Sequence, residues 1–234
     1  MSRFWEALAQ IDRKRDLDMA ELRIGPGRRG GHPVLSIRGP ERSEVETLVN
    51  RLYLLPDSAA PQICLFAALE AGSECSRLCA QTSDLLASQL SASVCLVDAN
   101  SEPSFVQRHW SPPGHSGLAD LARDRHLELT EAVSRVPRGD LWVLPRGSRA
   151  LDESPIESGE IRDRIGELRR HFHFVLLDGP PIGSPQALTL ARLADGIVLV
   201  LRANSTRRGA AARAKQQLEA NGGKILGAIL YNLT

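Results

Sequence analysis

Six short apolar runs recur along the chain: QICLFAAL (62–69), SVCLVDAN (93–100), DLWVLP (140–145), HFVLLDGPP (173–181), GIVLVLRA (196–203) and KILGAILYNL (224–233). Each is far shorter than the roughly 20 residues a membrane helix needs, and none alternates apolar with polar as a strand with one wet face does. Such runs are strands buried on both faces. Between them lie segments with helical spacing: SRLCAQTSDLLASQL, GLADLARD, GEIRDRIGELRRHF, ALTLARLA and RRGAAARAKQQLEANGG, the last closing on a glycine stop. Strand and helix in alternation put a mostly parallel sheet between two helical layers, an α/β three-layer fold.

The core is expected to span 42–234, opening with ERSEVETLVNRLYLL, whose Val45, Leu48, Val49, Leu52 and Leu55 share a helix face. Residues 1–41 read differently. Phe4, Trp5, Leu8 and Ile11 form the apolar stripe of a short N-terminal amphipathic helix, able to dock on a partner or on its own domain, and RIGPGRRGGHP (23–33) reads as a basic linker. The first residues carry charges from Arg3 onward and no apolar centre, so a secretory leader is not expected and the chain is placed in the cytoplasm, without a membrane span. Twenty-nine Lys and Arg against 28 Asp and Glu leave a formal charge of +1, which gives no global attraction to nucleic acid. Cys64, Cys75, Cys79 and Cys95 show neither CxxC spacing nor paired histidines, and are expected to be buried thiols.

In open α/β sheets, ligands sit beyond the carboxyl ends of the strands, and three of these ends carry polar chemistry. QICLFAAL is followed by AGSECSR (71–77), CLV by Asp98 and Asn100, and FVLL by Asp178. A connection between strand and helix flanked by two strand-terminal acids is how a P-loop nucleotide site is assembled, with the acids orienting magnesium and water. GHSG around His115 and Ser116 follows two prolines, not a buried strand, so it is not a nucleophile elbow. The scattered histidines 109, 115, 126, 171 and 173 are read as surface or strand-flanking residues.

HFHFVLLDGPPIGSPQALTLARLADGIVLVLRANSTRR resembles the second acidic motif and following strand of the bacterial tyrosine kinases of capsule and exopolysaccharide synthesis. SVCLVDANSEPS, GLADL, LWVLPRG and QLEANGGKILGAILYN are similar to further segments of that family, and MSRFWEALAQ resembles its short N-terminal helix. The resemblance implies a P-loop NTPase-like fold in which Gly72, Ser73, Glu74, Cys75, Ser76 and Arg77 form the nucleotide loop, Arg202 lies near the base, Ser76, Asp98 and Asp178 hold magnesium, and Asp98 and Asp178 are catalytic. It also implies a partner, the cytoplasmic part of an inner-membrane polysaccharide co-polymerase, which would recruit the protein to the membrane face.

Several positions depart from the family pattern. Glu74 replaces the loop's second glycine and Cys75 its lysine, so the cradle loses a cation and gains an anion. Two like charges about 4 Å apart at an effective dielectric near 20 repel by roughly 4 kcal/mol. Asn100 replaces a second acid and cannot act as a carboxylate base. SEVETLVNRL sets Ser43, Glu46 and Val49 where the family carries its Glu-x-x-Arg-x-x-Arg assembly pattern, and the two tyrosines, Tyr53 and Tyr231, form no acceptor cluster. Two readings stay open: a non-catalytic regulatory or scaffolding relative that needs no cofactor, and an active ATP-dependent tyrosine kinase or ATPase that takes ATP or ADP with magnesium through an unusual loop, with Arg77 supplying the missing charge.

Overall fold

The computed structural model describes residues 34–37, 42–54, 59–70, 72–90, 92–100, 104–110, 114–136, 139–147 and 158–231. Phe4, Trp5, Leu8 and Ile11 lie outside them. The strands are β1 (Val34–Ile37), β2 (Ile63–Ala68), β3 (Val94–Asp98), β4 (Ser134–Arg135), β5 (Leu141–Leu144), β6 (Phe174–Asp178), β7 (Gly196–Arg202) and β8 (Ile225–Tyr231). They form one sheet in the order β1-β8-β7-β2-β6-β3-β5-β4. Every pairing is parallel except the short β4–β5 contact.

The helices are α1 (Arg42–Val49), α2 (Ser73–Gln89), α3 (Phe105–Trp110), α4 (Leu118–Arg123), α5 (Leu129–Ala132), α6 (Ser158–His171), α7 (Pro185–Leu193) and α8 (Arg208–Ala220). Side chains alternate across a strand, and the core divides accordingly. Ile63, Leu65 and Ala67 join one apolar cluster with α4 through α8. Cys64, Phe66 and Ala68 join a second with α1, α2 and Val106 of α3. Sheet between two helical layers is the expected architecture.

Three local features differ from the expectation. The sheet reaches into the segment expected to be a linker: Val34–Ile37 pairs with Ala228–Tyr231, because a run of apolar and β-branched residues between Gly/Pro stretches satisfies an exposed edge of β8. The first helix does not continue regularly to residue 55. After Val49 the backbone widens to a π turn over Asn50–Leu54, which advances the helix face. Tyr53 is thereby buried, its ring edge-on to Phe174 at 5.1 Å, while Leu52 is half-buried; Leu55 lies outside the described residues. Third, the stretch after Asn100, expected as loop, contains α3.

Turn chemistry fixes the element ends. Ser184 Oγ accepts from the Ala187 N–H at 3.2 Å with Pro185 at the first helical position of α7. At the end of α8, Gly222 takes φ 83, and the Gly223 and Gly222 amides donate to Leu218 O (2.9 Å) and Glu219 O (3.0 Å), a paired closure that needs a left-handed residue. At the amino ends of the strands, Asp195 accepts from the Ile63 amide and from Arg169, both at 2.8 Å, tying β7, β2 and α6 together. Partial burial raises the Asp195 carboxyl, but the Arg169 bond and backbone amides outweigh it and the net effect is downward. That end is structural, which leaves the opposite end of the sheet for chemistry.

Candidate functional site

β6 lies between β2 and β3, so the chain leaves β2, crosses in α2 and returns to β3 one strand further over. At this switch the carboxyl ends of three strands and the start of α2 converge. Parity sets which way the acids face. Val94 and Leu96 pack on the α2 side, as does Leu176, so Asp98 and Asp178, two residues further along their strands, face α2 as well. Their Cα atoms are register partners and both residues are fully buried.

The two carboxylates have opposite circumstances. Asp98 Oδ2 accepts from Ser104 Oγ at 2.5 Å and Oδ1 from the Asn100 N–H at 3.1 Å. Ser104 Oγ in turn accepts from the Gln107 amide at 3.0 Å, so one hydroxyl both anchors the acid and caps α3. Asn100 Nδ2 donates to the Asp178 carbonyl at 3.2 Å. Both carboxylate oxygens of Asp178 have no hydrogen-bond partner; Ser76 and Asn100 are near enough to favour its charge without reaching bonding geometry. Burial, and then the charge of Asp98, push the Asp178 carboxyl up to about 8. Burial also raises Asp98, against the pull of Ser104, Asn100 and Arg146.

The other wall is the connection from β2 to α2. Gly72 precedes the helix in an extended conformation and Ser73 opens it, so Glu74, Cys75 and Ser76 lie in the first helical turn. A methyl group on Gly72 would meet Glu74 Oε2 at 3.1 Å, so the carboxylate curls back over the glycine. Cys75 points the other way, into the core with Cys79 and Phe66. Burial first, and the Asp178 charge second, raise its thiol well above the ordinary range. A neutral buried thiol therefore stands where the resemblance places a lysine. Ser76 is buried beneath the turn and Arg77 is exposed on α2.

Arg202 ends β7, exposed, in register with Tyr231 at the end of β8. Its N–H donates to Thr206 Oγ1 at 3.0 Å, closing a turn in which Asn204 adopts φ 62. The Tyr231 phenol is raised by burial and by the charge of Glu74, with Arg202 opposing. The rim thus brings together Glu74, Tyr231 and Arg202 on one side and Asp98, Asp178 and Ser76 on the other.

Sequence reasoning missed Ser104, Arg146 and the role of Tyr231. Ser104 had a signal, since Ser-Phe-Val-Gln is the S-x-x-Q pattern of a helix start. Arg146 follows β5, another strand end, and its charge reaches Asp98. Tyr231 had none, because its neighbour Glu74 is distant in sequence.

The donor set suits a nucleotide with its metal only in part. The partnerless Asp178 carboxylate beside Ser76 and Asp98 suits a cation. Among the described residues, however, no group of three or more His, Cys, Asp and Glu is disposed to hold a metal by itself. The phosphate side does not fit: it offers the Glu74 carboxylate over Gly72 and no cation from Cys75.

A mostly parallel sheet with helices on both faces, a strand-to-helix connection and acids at the neighbouring strand ends define a P-loop NTPase-like fold. By sequence the chain is a homologue of bacterial tyrosine-protein kinases. It is 31% identical over 123 residues to CapB of Staphylococcus aureus, covering 52% of this chain and 54% of that protein. It is 29% identical over 143 residues to the tyrosine-protein kinase CpsD of Streptococcus agalactiae, covering 59% and 61%. The chain therefore spans between half and two thirds of the length of these curated relatives. No protein-family model matches it.

Solved structures share the fold. The chimerical protein CapA2B2 superposes with TM-score 0.74 at 21% identity, over 86% of this chain and 94% of that one. The kinase domain of the Escherichia coli tyrosine kinase ETK superposes with TM-score 0.71 at 21% identity, over 82% and 75%. MinC:MinD, a cell division protein complex from Aquifex aeolicus, gives a TM-score of 0.61 at 17% identity, over 74% and 69%. Among the described residues no helix is long and apolar enough to cross a membrane.

Proposed function

We propose that the chain is a non-catalytic relative of bacterial tyrosine kinases, acting as a regulatory or scaffolding module in capsule or exopolysaccharide synthesis. The observation that carries this reading is the pair at the start of α2: the Glu74 carboxylate lies over Gly72, and Cys75 is a buried neutral thiol. A triphosphate entering this turn would meet an anion and lose the cation that normally reaches its terminal oxygens. Gly72, Ser73, Ser76, Arg77 and Arg202 then keep the loop's form without its chemistry, and Asp98 and Asp178 serve as buried packing acids. Function passes to surfaces. Residues 1–20, with Phe4, Trp5, Leu8 and Ile11, would dock on the cytoplasmic part of a polysaccharide co-polymerase and hold the protein at the inner membrane face. Co-purification of the full chain with that partner, lost on deleting residues 1–20, supports this; no contact by either form overturns it.

A second reading has one specific observation in its favour, the buried Asp178 carboxyl, whose oxygens have no hydrogen-bond partner and would gain one from a bound cation that displaced its proton. If nucleotide binds, Ser76, Asp98 and Asp178 would hold magnesium, which would neutralise charge on the phosphates, and the enzyme would be an ATP-dependent protein-tyrosine kinase or ATPase. Phosphate release from ATP that is abolished by Asp178→Asn would favour this reading; no release above a protein-free control would exclude it.

A further inference from the structure

Residues 196–218, GIVLVLRANSTRRGAAARAKQQL, contain Arg202, Arg207, Arg208, Arg213 and Lys215 and no acid. The stretch carries +5 in a chain whose formal charge is +1, so all other residues together carry −4. The fold gathers three of these charges. Arg207 precedes α8 and Arg208 opens it. Arg213 leans back along the helix, its Nη1 3.6 Å from where a Cβ on Gly209 would stand. All three are exposed, and among the described residues neither Arg207 nor Arg213 makes an ion pair. Lys215, by contrast, is partly buried and paired with Glu219. Helix stability does not account for the cluster: the amino end of a helix favours acids, and the first turn of α8 has none. Nor is the exposed side an apolar docking face, since Ala211, Ala214 and Leu218 are buried in the core beneath it. Whatever meets this surface meets it through charge.

We propose that Arg207, Arg208 and Arg213 form a docking surface for the phosphate headgroups of an anionic lipid bilayer. Two features favour that occupant. The three cations are all arginines, whose planar forks match paired phosphate oxygens. The charge is also one-sided: a flat anionic surface meets the patch while the net-negative remainder of the chain faces away. A nucleic acid held by only three arginines would bind weakly at physiological salt. Each arginine brought to an anionic membrane strengthens partitioning about fivefold, so the three together give about a hundredfold. A gain of that size does not anchor a protein alone; it adds to a second contact and sets which face of the domain lies against the membrane. The proposal goes beyond the scaffolding reading and does not depend on whether nucleotide binds at α2.

The test is co-sedimentation of the full chain with vesicles of phosphatidylcholine alone and with about 30% phosphatidylglycerol, at about 0.1 M and about 0.5 M salt. The native protein is expected to sediment with the anionic vesicles only, and to be released at the higher salt. Arg207→Gln/Arg208→Gln/Arg213→Gln should weaken partitioning at least about tenfold. A charge-matched control at exposed positions elsewhere, Arg162→Gln/Arg192→Gln/Lys224→Gln, should weaken it less than about threefold. Should the patch variant fail to fold, Arg213→Gln alone carries the test, with a loss of about fivefold. A native protein that ignores anionic vesicles, a folded patch variant that binds like native, or a control that loses as much as the patch variant overturns the proposal. So does tighter, patch-dependent binding to duplex DNA, which would assign the surface to nucleic acid.

Discussion

Replacing Asp178 by Asn should make the protein more stable, by an amount that grows with pH. In the folded chain the carboxyl is fully buried, has no hydrogen-bond partner and faces Asp98 across one strand spacing. It therefore keeps its proton up to about 8, whereas in the unfolded chain it titrates near its ordinary value of 3.8. Between these two values the folded state binds more protons than the unfolded state. Stability then falls as pH rises, by at most about 1.4 kcal/mol per pH unit. From pH 5 to pH 8 the accumulated loss has an upper limit of about 4 kcal/mol, and relaxation around the buried charge brings it to about 2 kcal/mol. Asn keeps the shape and removes the titration. In urea unfolding of both proteins at pH 5, 6.5 and 8, the Asn variant should pull ahead of native by about that margin toward pH 8. Parallel pH profiles, or an Asn variant that loses ground as pH rises, would refute the account of Asp178 as an unsatisfied acid.

Ser104→Ala removes both the Asp98 anchor and the cap of α3; a loss of about 1–3 kcal/mol is expected in the same urea assay, with Asp98 left short of a partner. Arg164 donates to the carbonyls of Leu121, Asp124 and Leu127, which close the end of α4. Arg164→Ala should cost about 1–3 kcal/mol, against less than about 0.5 kcal/mol for an exposed residue such as Arg192→Ala. All four cysteines are free and buried, with burial lifting Cys64 up to about 12 and Cys75 and Cys79 well above the ordinary range. An aromatic disulfide reagent at pH 8 should therefore find four thiols only after denaturation, and rapid labelling of the native chain would contradict the placement of Cys75 in the core.

The sheet was legible because apolar runs without polar alternation have one physical solution, burial between two helical layers. The acids were legible because the carboxyl ends of the strands are where such sheets place their polar chemistry. What escaped depends on tertiary context. β1 is four residues whose partner, β8, lies almost two hundred positions later, so no local pattern announces it. The π turn at Asn50–Leu54 arises because Tyr53 packs on Phe174, a distant neighbour that overrides regular spacing. At the site, the presence of Glu74 and Cys75 where the resemblance implies glycine and lysine was visible in sequence. That the first curls over Gly72 while the second turns into the core was not, since both outcomes follow from where α2 begins. The contrast between a fully bonded Asp98 and a partnerless Asp178 likewise depends on Ser104 reaching back six residues to one acid and not the other.

We propose that Glu74 and Cys75, at the start of α2, keep nucleotide from binding there. Titration calorimetry of ATP and ADP with magnesium, on the native chain and on Glu74→Gly/Cys75→Lys, tests it most directly. The account predicts no heat of binding for the native protein and magnesium-dependent binding by the double variant. Magnesium-dependent binding of ATP by the native chain at micromolar concentrations would contradict it.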